Sequence, residues 1–286
     1  ETPALEILPG GAEAEPFKTH HNALDVDFYL RISLELPLKK LLVAGYEKVF
    51  EIGRVFRNEG IDREHLQDYT QLEFYWAYHD YNDLMKLTEK MFKDVIKKTT
   101  SGLKTTFQGQ KIDWGKKWEK VEYVKIFEKF NKFNPVSVSR DELFQKAVSL
   151  GLQPGKHLGK GRLIDIIYKK TVRPTLIQPC FLINPPVEVE PLAKRSKKNP
   201  ALVERIQIVA CGTELGKGFS ELNDPLDQRA RFEEQMKLRA AGDKEAQFLD
   251  EDFLEALEYG MPPAAGFGLS ERLFAVIMDK SVRETV

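Results

Sequence analysis

The segment 56–75 concentrates side chains that could carry out chemistry. Arg57 could hold a phosphate or a carboxylate with the planar fork of donors on its guanidinium group. Glu73 and Tyr75 are two residues apart, so in an extended strand both side chains point to the same face, together with Tyr69. A carboxylate among aromatic rings favours a binding site for a cation. This set of groups suits the activation of a cationic amino acid by a nucleoside triphosphate.

A second group of candidate residues lies in a glycine-rich stretch of the C-terminal half. Lys217, Phe219 and Glu221 alternate along the chain and would share one face of an extended strand. Glu214 has the opposite parity and joins that face only if a bulge interrupts the strand. The stretch resembles a phosphate-binding loop, but it is one residue too short, and Gly218 stands where Ser or Thr is needed. We therefore expect a strand that faces a ligand.

Arg272 follows a second glycine-rich segment and precedes an apolar helix. Two interpretations stay open for it: a surface arginine beside a strand-to-helix turn, or a phosphate contact near a helix N-terminus that Ser270 could cap. His65 lies in a polar loop and is a candidate phosphate ligand. The histidines of the chain show no metal-binding spacing.

Hydrophobic periodicity predicts the elements that must position these residues. Ser33 is the expected cap of a first helix, which Gly45 ends. The remaining predicted helices are 81–99, 140–151, 161–171, 225–241, 247–258 and 269–280, and the predicted strands are 25–32, 48–57, 68–79, 176–183, 203–211 and 214–222. Strands that pair as hairpins, with helices grouped separately, indicate an α+β fold with a largely antiparallel β-sheet flanked by helices. The lysine-rich segment 110–175 is interpreted as a small helical insertion.

Bulk composition excludes several classes of protein. The chain has 286 residues, of which 42% are hydrophobic, which is ample for a core. Its net charge of −1 argues against a protein that binds nucleic acid through a basic surface over the whole molecule. Cys180 and Cys211 form neither a disulfide framework nor a zinc motif, so we expect two reduced, buried thiols in a cytoplasmic protein. No apolar run approaches the ~18 residues that a membrane helix needs.

Taken together, these segments resemble the catalytic core of the class II aminoacyl-tRNA synthetases, and most closely that of the lysyl-tRNA synthetases. Residues 56–60, Phe-Arg-Asn-Glu-Gly, resemble the second signature of the class. Further matching stretches are 1–3, 9–12, 16–17, 19–25, 29–32, 35–36, 219–225 and 260–263. The match covers roughly 1–109 and 176–286, so we expect 1–286 to be one catalytic domain of this class with an insertion at about 110–175.

The resemblance implies ATP-dependent activation of L-lysine to lysyl-adenylate and its transfer to tRNA(Lys). Arg57 and Arg272 would be catalytic through contacts with the α-phosphate and the terminal phosphate. The residues implied in ATP binding are Arg57 at the α-phosphate, Glu59 and Tyr69 at the adenine, His65 and Arg272 at the outer phosphates, and Glu214. Those implied in substrate binding are Gly11 and Glu35 for the α-amino group, Glu73, Tyr75 and Glu221 for the ε-ammonium group, and Lys217 and Phe219. Mg²⁺ would be held by Glu214 and, weakly, by Gln207.

Two departures from the family pattern keep other functions open. Lys217 stands where the lysine enzymes carry Asn, although it still offers positive charge to a carboxylate. Gln207 stands where a second metal-binding Glu is expected, and a neutral amide is a poorer ligand for a hard cation. These departures prompt one alternative, an inactive homologue with a binding role. The expected absence of an anticodon-binding domain favours another, a stand-alone paralogue that activates lysine or β-lysine to modify a protein such as elongation factor P.

The resemblance also implies partners and missing parts. We expect an excised core without the N-terminal anticodon-binding domain and without most of the first signature helix. Because that helix forms the dimer interface in this class, the intact protein is expected to be a homodimer that meets the acceptor end of its tRNA. Association with a membrane is not expected.

Overall fold

A computed structural model describes residues 1–58, 60 and 65–285. Within this part of the chain the backbone forms twelve strands and eight α-helices. The strands are β1 (Leu5–Glu6), β2 (Lys18–His21), β3 (Val26–Leu30), β4 (Lys48–Phe56), β5 (Asp68–Ala77), β6 (Lys104–Phe107), β7 (Gln110–Asp113), β8 (Glu119–Glu122), β9 (Cys180–Ile183), β10 (Arg205–Ala210), β11 (Thr213–Ser220) and β12 (Ala264–Leu269). The helices are α1 (Glu35–Val43), α2 (Tyr81–Thr99), α3 (Tyr123–Asn131), α4 (Arg140–Ser149), α5 (Lys160–Thr171), α6 (Pro225–Ala240), α7 (Glu251–Gly260) and α8 (Arg272–Met278).

A seven-stranded sheet forms the centre of the fold, with strand order β4-β5-β12-β11-β10-β9-β8. Its neighbouring strands are antiparallel except for β8 and β9, which run parallel. A small sheet of β1, β3 and β2 and a hairpin of β6 and β7 lie outside it. The predicted α+β fold with a largely antiparallel sheet flanked by helices is therefore confirmed.

Each face of the central sheet packs against its own group of helices. On the back face, Phe74 and Phe267 join a buried cluster with Leu84 and Phe92 of α2 and with residues of α8. On the front face, α1, α6 and α7 contribute the apolar core. Polar side chains on the front face are thus enclosed by helices. Glu73 on the front face is accordingly just 3% exposed.

Local sequence explains where several helices begin. Asp80 caps α2 by accepting hydrogen bonds from the backbone of Asn82 and Asp83, and this helix has the predicted bounds. Ser33 lies one residue before the N-cap position of α1, which is Leu34 and has no side-chain hydrogen bond. The hydroxyl of Ser33 still accepts from the backbone N–H of Glu35, the first residue of α1, at 3.2 Å. The same hydroxyl donates to Glu73 Oε1 at 2.8 Å.

The central strand β12 was missed by sequence analysis. The sequence of residues 264–269 is Ala-Ala-Gly-Phe-Gly-Leu, which has weak strand propensity. Sequence analysis therefore interpreted this segment only as the connection to a helix predicted to begin at 269. The helix α8 begins at Arg272 instead. Because β5 and β11 each present a free row of backbone groups, pairing on both sides holds β12 in the sheet.

The segment predicted as a helical insertion does contain α3, α4 and α5, which surround a core of their own. It also contains β8, which was not predicted and which extends the central sheet. The sequence of β8, Glu-Lys-Val-Glu, is too charged to read as a buried strand, but an edge position leaves its charges in water. Whether this segment is a separate unit of the domain stays a prediction.

Two smaller expectations can be compared with the described residues. Cys180 is buried and Cys211 is half-buried, and neither takes part in a disulfide. None of the described helices is both long enough and apolar enough to cross a membrane.

Candidate active site

The front face of the central sheet lines a cavity of about 500 Å³. Among the residues that the structure describes, every predicted site residue lines it: Gly11, Glu35, Arg57, His65, Tyr69, Glu73, Tyr75, Gln207, Glu214, Lys217, Phe219, Glu221 and Arg272. Glu59, predicted to contact adenine, lies outside the described residues. Segments distant in sequence thus converge on one cavity.

The pairing of three neighbouring strands explains how the two predicted carboxylates come to share a face. Glu73 on β5 lies opposite Gly268 on β12, which lies opposite Lys217 on β11. Residues directly opposite each other in antiparallel strands point to the same face. Glu221 has the same parity as Lys217, so Glu73 and Glu221 lie on one face of the sheet with β12 between them.

Glycines on β12 form the floor between these carboxylates. A Cβ atom at Gly266 would lie 2.2 Å from Tyr75 Cε1 and 2.3 Å from Glu221 Oε1. Only a residue without a side chain leaves room for both groups to lean over the middle strand. Since two strand spacings amount to about 10 Å, the groove can admit a slender side chain.

A β-bulge brings Glu214 to the same face. Ile208 pairs with Gly216, but its neighbour Val209 pairs with Glu214, so Leu215 is an extra residue on β11. This irregularity reverses the parity of Glu214 relative to Lys217. The conditional prediction that Glu214 joins the site only through a bulge is therefore confirmed.

Three donors hold the carboxylate of Glu73 in place. Oε1 accepts hydrogen bonds from the Ser33 hydroxyl at 2.8 Å and from the Leu34 backbone N–H at 3.1 Å. Oε2 accepts one from the Tyr75 hydroxyl at 2.9 Å. The orientation of this charge is thus set by protein groups and not by a ligand.

Sequence analysis missed Lys39, which does not itself line the cavity but lies between two acidic residues that do, Glu35 and Glu221. Its Nζ atom lies 2.5 Å from Glu35 Oε1 and 2.5 Å from Glu221 Oε2, and its side chain is fully buried. The available signal was the i, i+4 spacing of Glu35 and Lys39 on the face of α1 that also carries Leu42. Lysine at such a position is usually interpreted as solvent-exposed, so the signal was weak.

Burial and mutual repulsion perturb these acidic groups. Burial raises the pKa of Glu35 to about 7; Lys39 opposes the shift and Glu73 adds to it. Burial also raises the pKa of Glu221 well above its ordinary value, with the same opposition from Lys39. The pKa of Lys39 is raised, because Glu221 and Glu35 outweigh the lowering effect of its burial. The cluster is therefore short of positive charge and would be stabilised by a bound cation.

Arginine side chains supply positive charge elsewhere in the cavity. Arg57 donates from Nε to the carbonyl oxygen of Ile32 at 3.1 Å, and its Cζ atom lies 5.5 Å from the centre of the Tyr69 ring. Burial raises the pKa of Tyr69 above its ordinary value, while Arg57 and Arg272 oppose the shift, which places both guanidinium charges near this ring. Ser270 accepts from the backbone N–H of Arg272 at 3.3 Å, although the N-cap position of α8 is Glu271.

The pair predicted to hold magnesium does not fit a metal held by the protein. The side-chain N–H of Gln207 donates to Glu214 Oε2, so the amide presents a donor to the only carboxylate of the pair. Burial alone would raise the pKa of Glu214, but nearby cations lower it to about 2; they are Arg272, Lys217, Arg205 and Lys169. In the described part of the chain no group of three His, Cys, Asp or Glu side chains could hold a metal ion. The four cations around this single carboxylate would repel a metal cation.

Lys217 is held by residues that were not predicted. Its Nζ atom lies 2.9 Å from Glu190 Oε2, and Arg205 Nη1 lies 3.6 Å from the same oxygen. Glu190 is 5% exposed, whereas the side chain of Lys217 is 41% exposed, so the pair with Arg205 is buried and the pair with Lys217 is open to the cavity. The ammonium group of Lys217 therefore lies beside the cavity on the front face of β11.

The helix α5 also lines the cavity, which sequence analysis did not foresee. Its contribution consists of Arg162, Asp165, Ile166 and Lys169, and Arg173 follows just after the helix. Arg162 forms ion pairs with Glu13, at 3.0 Å, and with Glu245. The available signal was the spacing of three, four and seven residues between charged side chains of α5, which places them on one face of the helix. The segment as a whole was interpreted as part of an insertion.

Comparisons with known proteins agree with this geometry. A model of the family "tRNA synthetases class II (D, K and N)" matches residues 1–286. The chain is 47% identical to lysine–tRNA ligase of Moorella thermoacetica over 290 residues, which is 100% of this chain and 59% of the relative. For the ligases of Carboxydothermus hydrogenoformans and Nostoc punctiforme the identities are 45% and 46%, again over 100% of this chain but only 59% and 52% of each relative.

The chain thus spans between half and three fifths of the length of these curated relatives. Its front-face cavity, the predicted residues gathered there and the match of the family model along its whole length lead to one assignment. The chain belongs to the class II tRNA synthetases of the aspartate, lysine and asparagine group.

Proposed function

We propose that this chain activates L-lysine with ATP to form lysyl-adenylate, and that the protein transfers the lysyl group to the acceptor end of tRNA(Lys). One observation carries the choice of lysine within its family: Glu73 and Glu221 lie on one face of the sheet across a glycine floor. A pocket with two carboxylates matches a cationic side chain and opposes aspartate, whose side chain is an anion. The names of the similar ligases support the same substrate.

The ε-ammonium group of lysine would lie between these carboxylates. Glu221 Oε1 is buried and has no hydrogen-bond partner among the described residues. It lies next to the position of Gly266, where Tyr75 also approaches. A bound ammonium group would satisfy this oxygen and would meet the fixed charge of Glu73 on the other side. A substrate without that cation would leave both carboxylates unpaired, which can reduce its use by on the order of 10⁴-fold.

The other end of the substrate would meet groups near the start of α1. Glu35 would receive the α-ammonium group together with the backbone of Gly11. The φ angle of Gly11 is +84°, and a Cβ atom there would lie 2.8 Å from Glu35 Cβ. This close approach is the physical reason for glycine at the position. Arg57 and Lys217 would face the α-carboxylate, which is an anion.

Adenylate formation requires the protein to position the two substrates and to supply positive charge to the phosphates. A carboxylate oxygen of lysine attacks the α-phosphorus of ATP, the bond to the bridging oxygen breaks, and its electron pair leaves with pyrophosphate. The nucleophile is already ionised, so no strong general base is needed. Arg57 would hold the α-phosphate and the carboxylate together, and Arg272 and His65 would neutralise the outer phosphates. In the second step a ribose hydroxyl of the tRNA attacks the carbonyl carbon, and AMP leaves.

Side-chain cations supply positive charge near Glu214: Lys169, Arg205, Lys217 and Arg272. Magnesium would enter with ATP, as part of the substrate, because Glu214 and Gln207 do not fit a metal held by the protein. Tyr69 would pack against the adenine, and Glu59 would contact its edge. The proposed working form of the protein is a homodimer.

Exchange of labelled pyrophosphate into ATP tests the first step in the full-length protein. We expect exchange to depend on lysine and to be at least about 10³-fold slower, in kcat/KM, with aspartate or asparagine. Aminoacylation of tRNA(Lys) then tests the second step. Absence of lysine-dependent exchange would point to an inactive homologue, and exchange without tRNA charging would point to a protein acceptor; the names of the relatives favour neither alternative.

A further inference from the structure

We propose that Lys39 is a resident counterion that sets the charge of the lysine pocket and positions Glu221 for the substrate. The inference rests on the proposed function, because it concerns how the same pocket recognises a diamino acid. Lys39 would touch no reacting atom. It would act through Glu35 and Glu221 and is therefore a positioning residue that determines specificity.

The geometry of Lys39 is unusual for a lysine. Its side chain has no exposed surface, and Nζ lies 2.5 Å from an oxygen of Glu35 and 2.5 Å from an oxygen of Glu221. The ring of Phe219 lies beneath the ammonium group, 5.2 Å from Nζ. A lysine is rarely buried to this degree without a specific pairing role. Here the two partners belong to elements far apart in sequence, α1 and the residue after β11.

The charges of the pocket match the substrate only when Lys39 is counted. When a bound cation keeps all three ionised, Glu35, Glu73 and Glu221 carry three negative charges, and Lys39 compensates one of them. Two remain, and zwitterionic lysine brings two ammonium groups. Without Lys39 the buried site would hold one more negative charge than its ligand can neutralise, and a buried carboxylate in that situation takes up a proton.

The contact with Lys39 also gives the two carboxylate oxygens of Glu221 different surroundings. Oε2 contacts Lys39, whereas Oε1 lies over Gly266 and has no hydrogen-bond partner among residues 1–58, 60 and 65–285. The contact with Lys39 therefore keeps the second oxygen on the substrate side of the groove. A neutral residue at position 39 would let the carboxyl group turn or protonate.

The titratable groups that interact with Lys39 or with its partners Glu35 and Glu221 come from three elements. They are Glu35 on α1, Glu73 and Tyr75 on β5, and Glu221 after β11, with Glu190 acting on Glu35 from farther away. Lys39 opposes the upward shift of the pKa of both Glu35 and Glu221. Its removal should therefore raise the pKa of both carboxyl groups further, so that at least one is protonated near neutral pH.

The test replaces Lys39 with Met, which keeps the length of the side chain and removes its charge. Lysine binding to the full-length protein is measured by calorimetry at pH 7 in two buffers of different ionisation enthalpy, which gives the number of protons released. Lys39→Met should release about one proton more than the unsubstituted protein, because binding of an ammonium group expels the extra proton. Its KM for lysine should rise about tenfold at pH 7, and the difference should shrink at pH 8.5.

Lys40→Met is the matched control, since Lys40 is the next residue of α1, is only half-buried and does not line the cavity. It should leave proton release and the KM for lysine unchanged. ATP affinity, measured on the same samples, reports whether each variant is folded. Lys39→Gln provides a second neutral variant whose amide can still donate a hydrogen bond, and it should show the same additional proton.

Each outcome decides the proposal. Wild-type proton release and lysine affinity in either neutral variant would overturn it. Loss of ATP binding in both neutral variants would also overturn it, because Lys39 would then support the whole fold and not the pocket. Absence of lysine-dependent pyrophosphate exchange in the unsubstituted protein would instead refute the proposed function, so the two failures can be told apart.

Discussion

At the scale of single residues, the pocket combines a carboxylate that is already hydrogen-bonded with one that is incompletely paired. Glu73 is fixed by Ser33, Leu34 and Tyr75. Glu221 keeps one oxygen without a hydrogen-bond partner in the described chain. The fixed group reduces the reorganisation needed on binding, and the incompletely paired group gains a partner. In the proposed function each carboxylate would therefore contribute to lysine recognition for a different physical reason.

Glu73→Gln should lower kcat/KM for lysine by on the order of 10²- to 10³-fold, or about 3 to 4 kcal/mol, because a buried charge pair with the substrate is lost. The amide oxygen can still accept from Ser33 and Leu34, so the strand should keep its place. The KM for ATP should stay within about twofold of its original value. Pyrophosphate exchange at varied lysine and ATP concentrations measures both quantities.

Glu51→Gln is a matched control for that variant. Glu51 lies directly opposite Glu73 on β4 and is 4% exposed, but it pairs with Arg31 and does not line the cavity. This substitution should reduce thermal stability and leave the KM for lysine unchanged. An equal decrease of kcat/KM for lysine in both variants would show that the two paired carboxylates of β4 and β5 are equivalent, which would contradict the specific role of Glu73.

The acidic cluster also predicts a pH dependence. Glu35 has its pKa raised to about 7, so below that pH it is protonated where an ordinary glutamate is still ionised. Only the ionised form attracts an ammonium group, so the KM for lysine should rise as pH falls from 7 to 6, by up to about tenfold. Glu6→Gln is the control, because the pKa of Glu6 is also raised to about 7 but Glu6 does not line the cavity. A profile that Glu6→Gln abolishes would contradict the assignment.

Gln207→Glu should create a metal site beside Glu214. The hydrogen bond that Gln207 donates to Glu214 would be lost, and the nearby cations would offset only part of the repulsion between the two carboxylates, so stability without divalent ions should fall by about 1 kcal/mol. Mg²⁺ or Mn²⁺ would bridge the two carboxylates and restore stability. Thermal melting with and without Mn²⁺, and Mn²⁺ binding followed by paramagnetic resonance, would show the gain. Mn²⁺ binding of equal strength in the unsubstituted protein would contradict the conclusion that its residues do not fit a metal.

At the scale of elements, β12 gives the pocket its shape by having no side chains at two positions. Gly266 and Gly268 lie between the carboxylate-bearing strands. The clearance above them differs: a Cβ atom at Gly266 would meet Tyr75 and Glu221, whereas at Gly268 the nearest atom is Gln71 Nε2 at 3.1 Å. Gln71 is a flexible side chain that can move aside, but the partners of Gly266 are both buried.

Gly266→Ala should therefore raise the KM for lysine by about 10- to 100-fold, because Tyr75 and Glu221 must shift out of the groove; the strain should cost about 1 to 3 kcal/mol of stability. Gly268→Ala is the control on the same strand and the same face, and it should have a much smaller effect on lysine use. Kinetics and chemical unfolding of both variants make the comparison. Equal effects would show that the floor is not shaped by Gly266 in particular.

Alternation along strands was the feature that sequence could predict. The parity of Glu73 and Tyr75, and of Lys217, Phe219 and Glu221, correctly indicated which side chains share a face, and it even required the bulge before Gly216. Parity does not identify β12, the strand between β5 and β11, because its glycine-rich sequence has no alternation of polar and apolar residues. Both the site and its central strand therefore needed long-range pairing to become visible.

Lys39 shows a second limit. Its sequence environment, a charged residue four positions after a glutamate on a helix, is typical of exposed ion pairs. Only the packing of α1 against the sheet turns Lys39 inward, toward a glutamate that lies far away in the chain. The same holds for Arg162 and Glu190, whose partners are set by tertiary structure. Local patterns predict the face of an element but not what that face will meet.

At the scale of the whole molecule, the cavity lies where segments from three regions of the chain meet. Arg162 on α5 contacts Glu13 in the N-terminal loop at 3.0 Å and Glu245 after α6. Burial lowers the pKa of Arg162, but Glu13 and Glu245 outweigh it and raise that pKa above its ordinary value. The side chain is 24% exposed, so solvent weakens these ion pairs without removing them. The bridge thus connects the helical segment to the wall of the cavity next to Gly11.

Arg162→Met should loosen that connection while leaving the core of the protein folded. Loss of the bridge removes about 1 to 2 kcal/mol of local stability, so amide hydrogens near Glu13 and Glu245 should exchange several-fold faster, whereas those of β5 and β12 should not change. Hydrogen exchange followed by mass spectrometry measures each segment separately. The KM for lysine should rise about three- to tenfold, because Gly11 would be held less firmly against the start of α1.

Arg229→Met is the matched control for this last variant. Arg229 also forms a two-point ion pair, with Glu251 at 2.9 and 2.7 Å, but that pair connects α6 to α7 and does not line the cavity. Its removal should leave exchange near Glu13 and the KM for lysine as they were. If both variants loosen the N-terminal loop equally, the effect comes from general surface charge. If only Arg162→Met does so, the helical segment contributes to substrate binding through a single side chain that joins three distant parts of the chain.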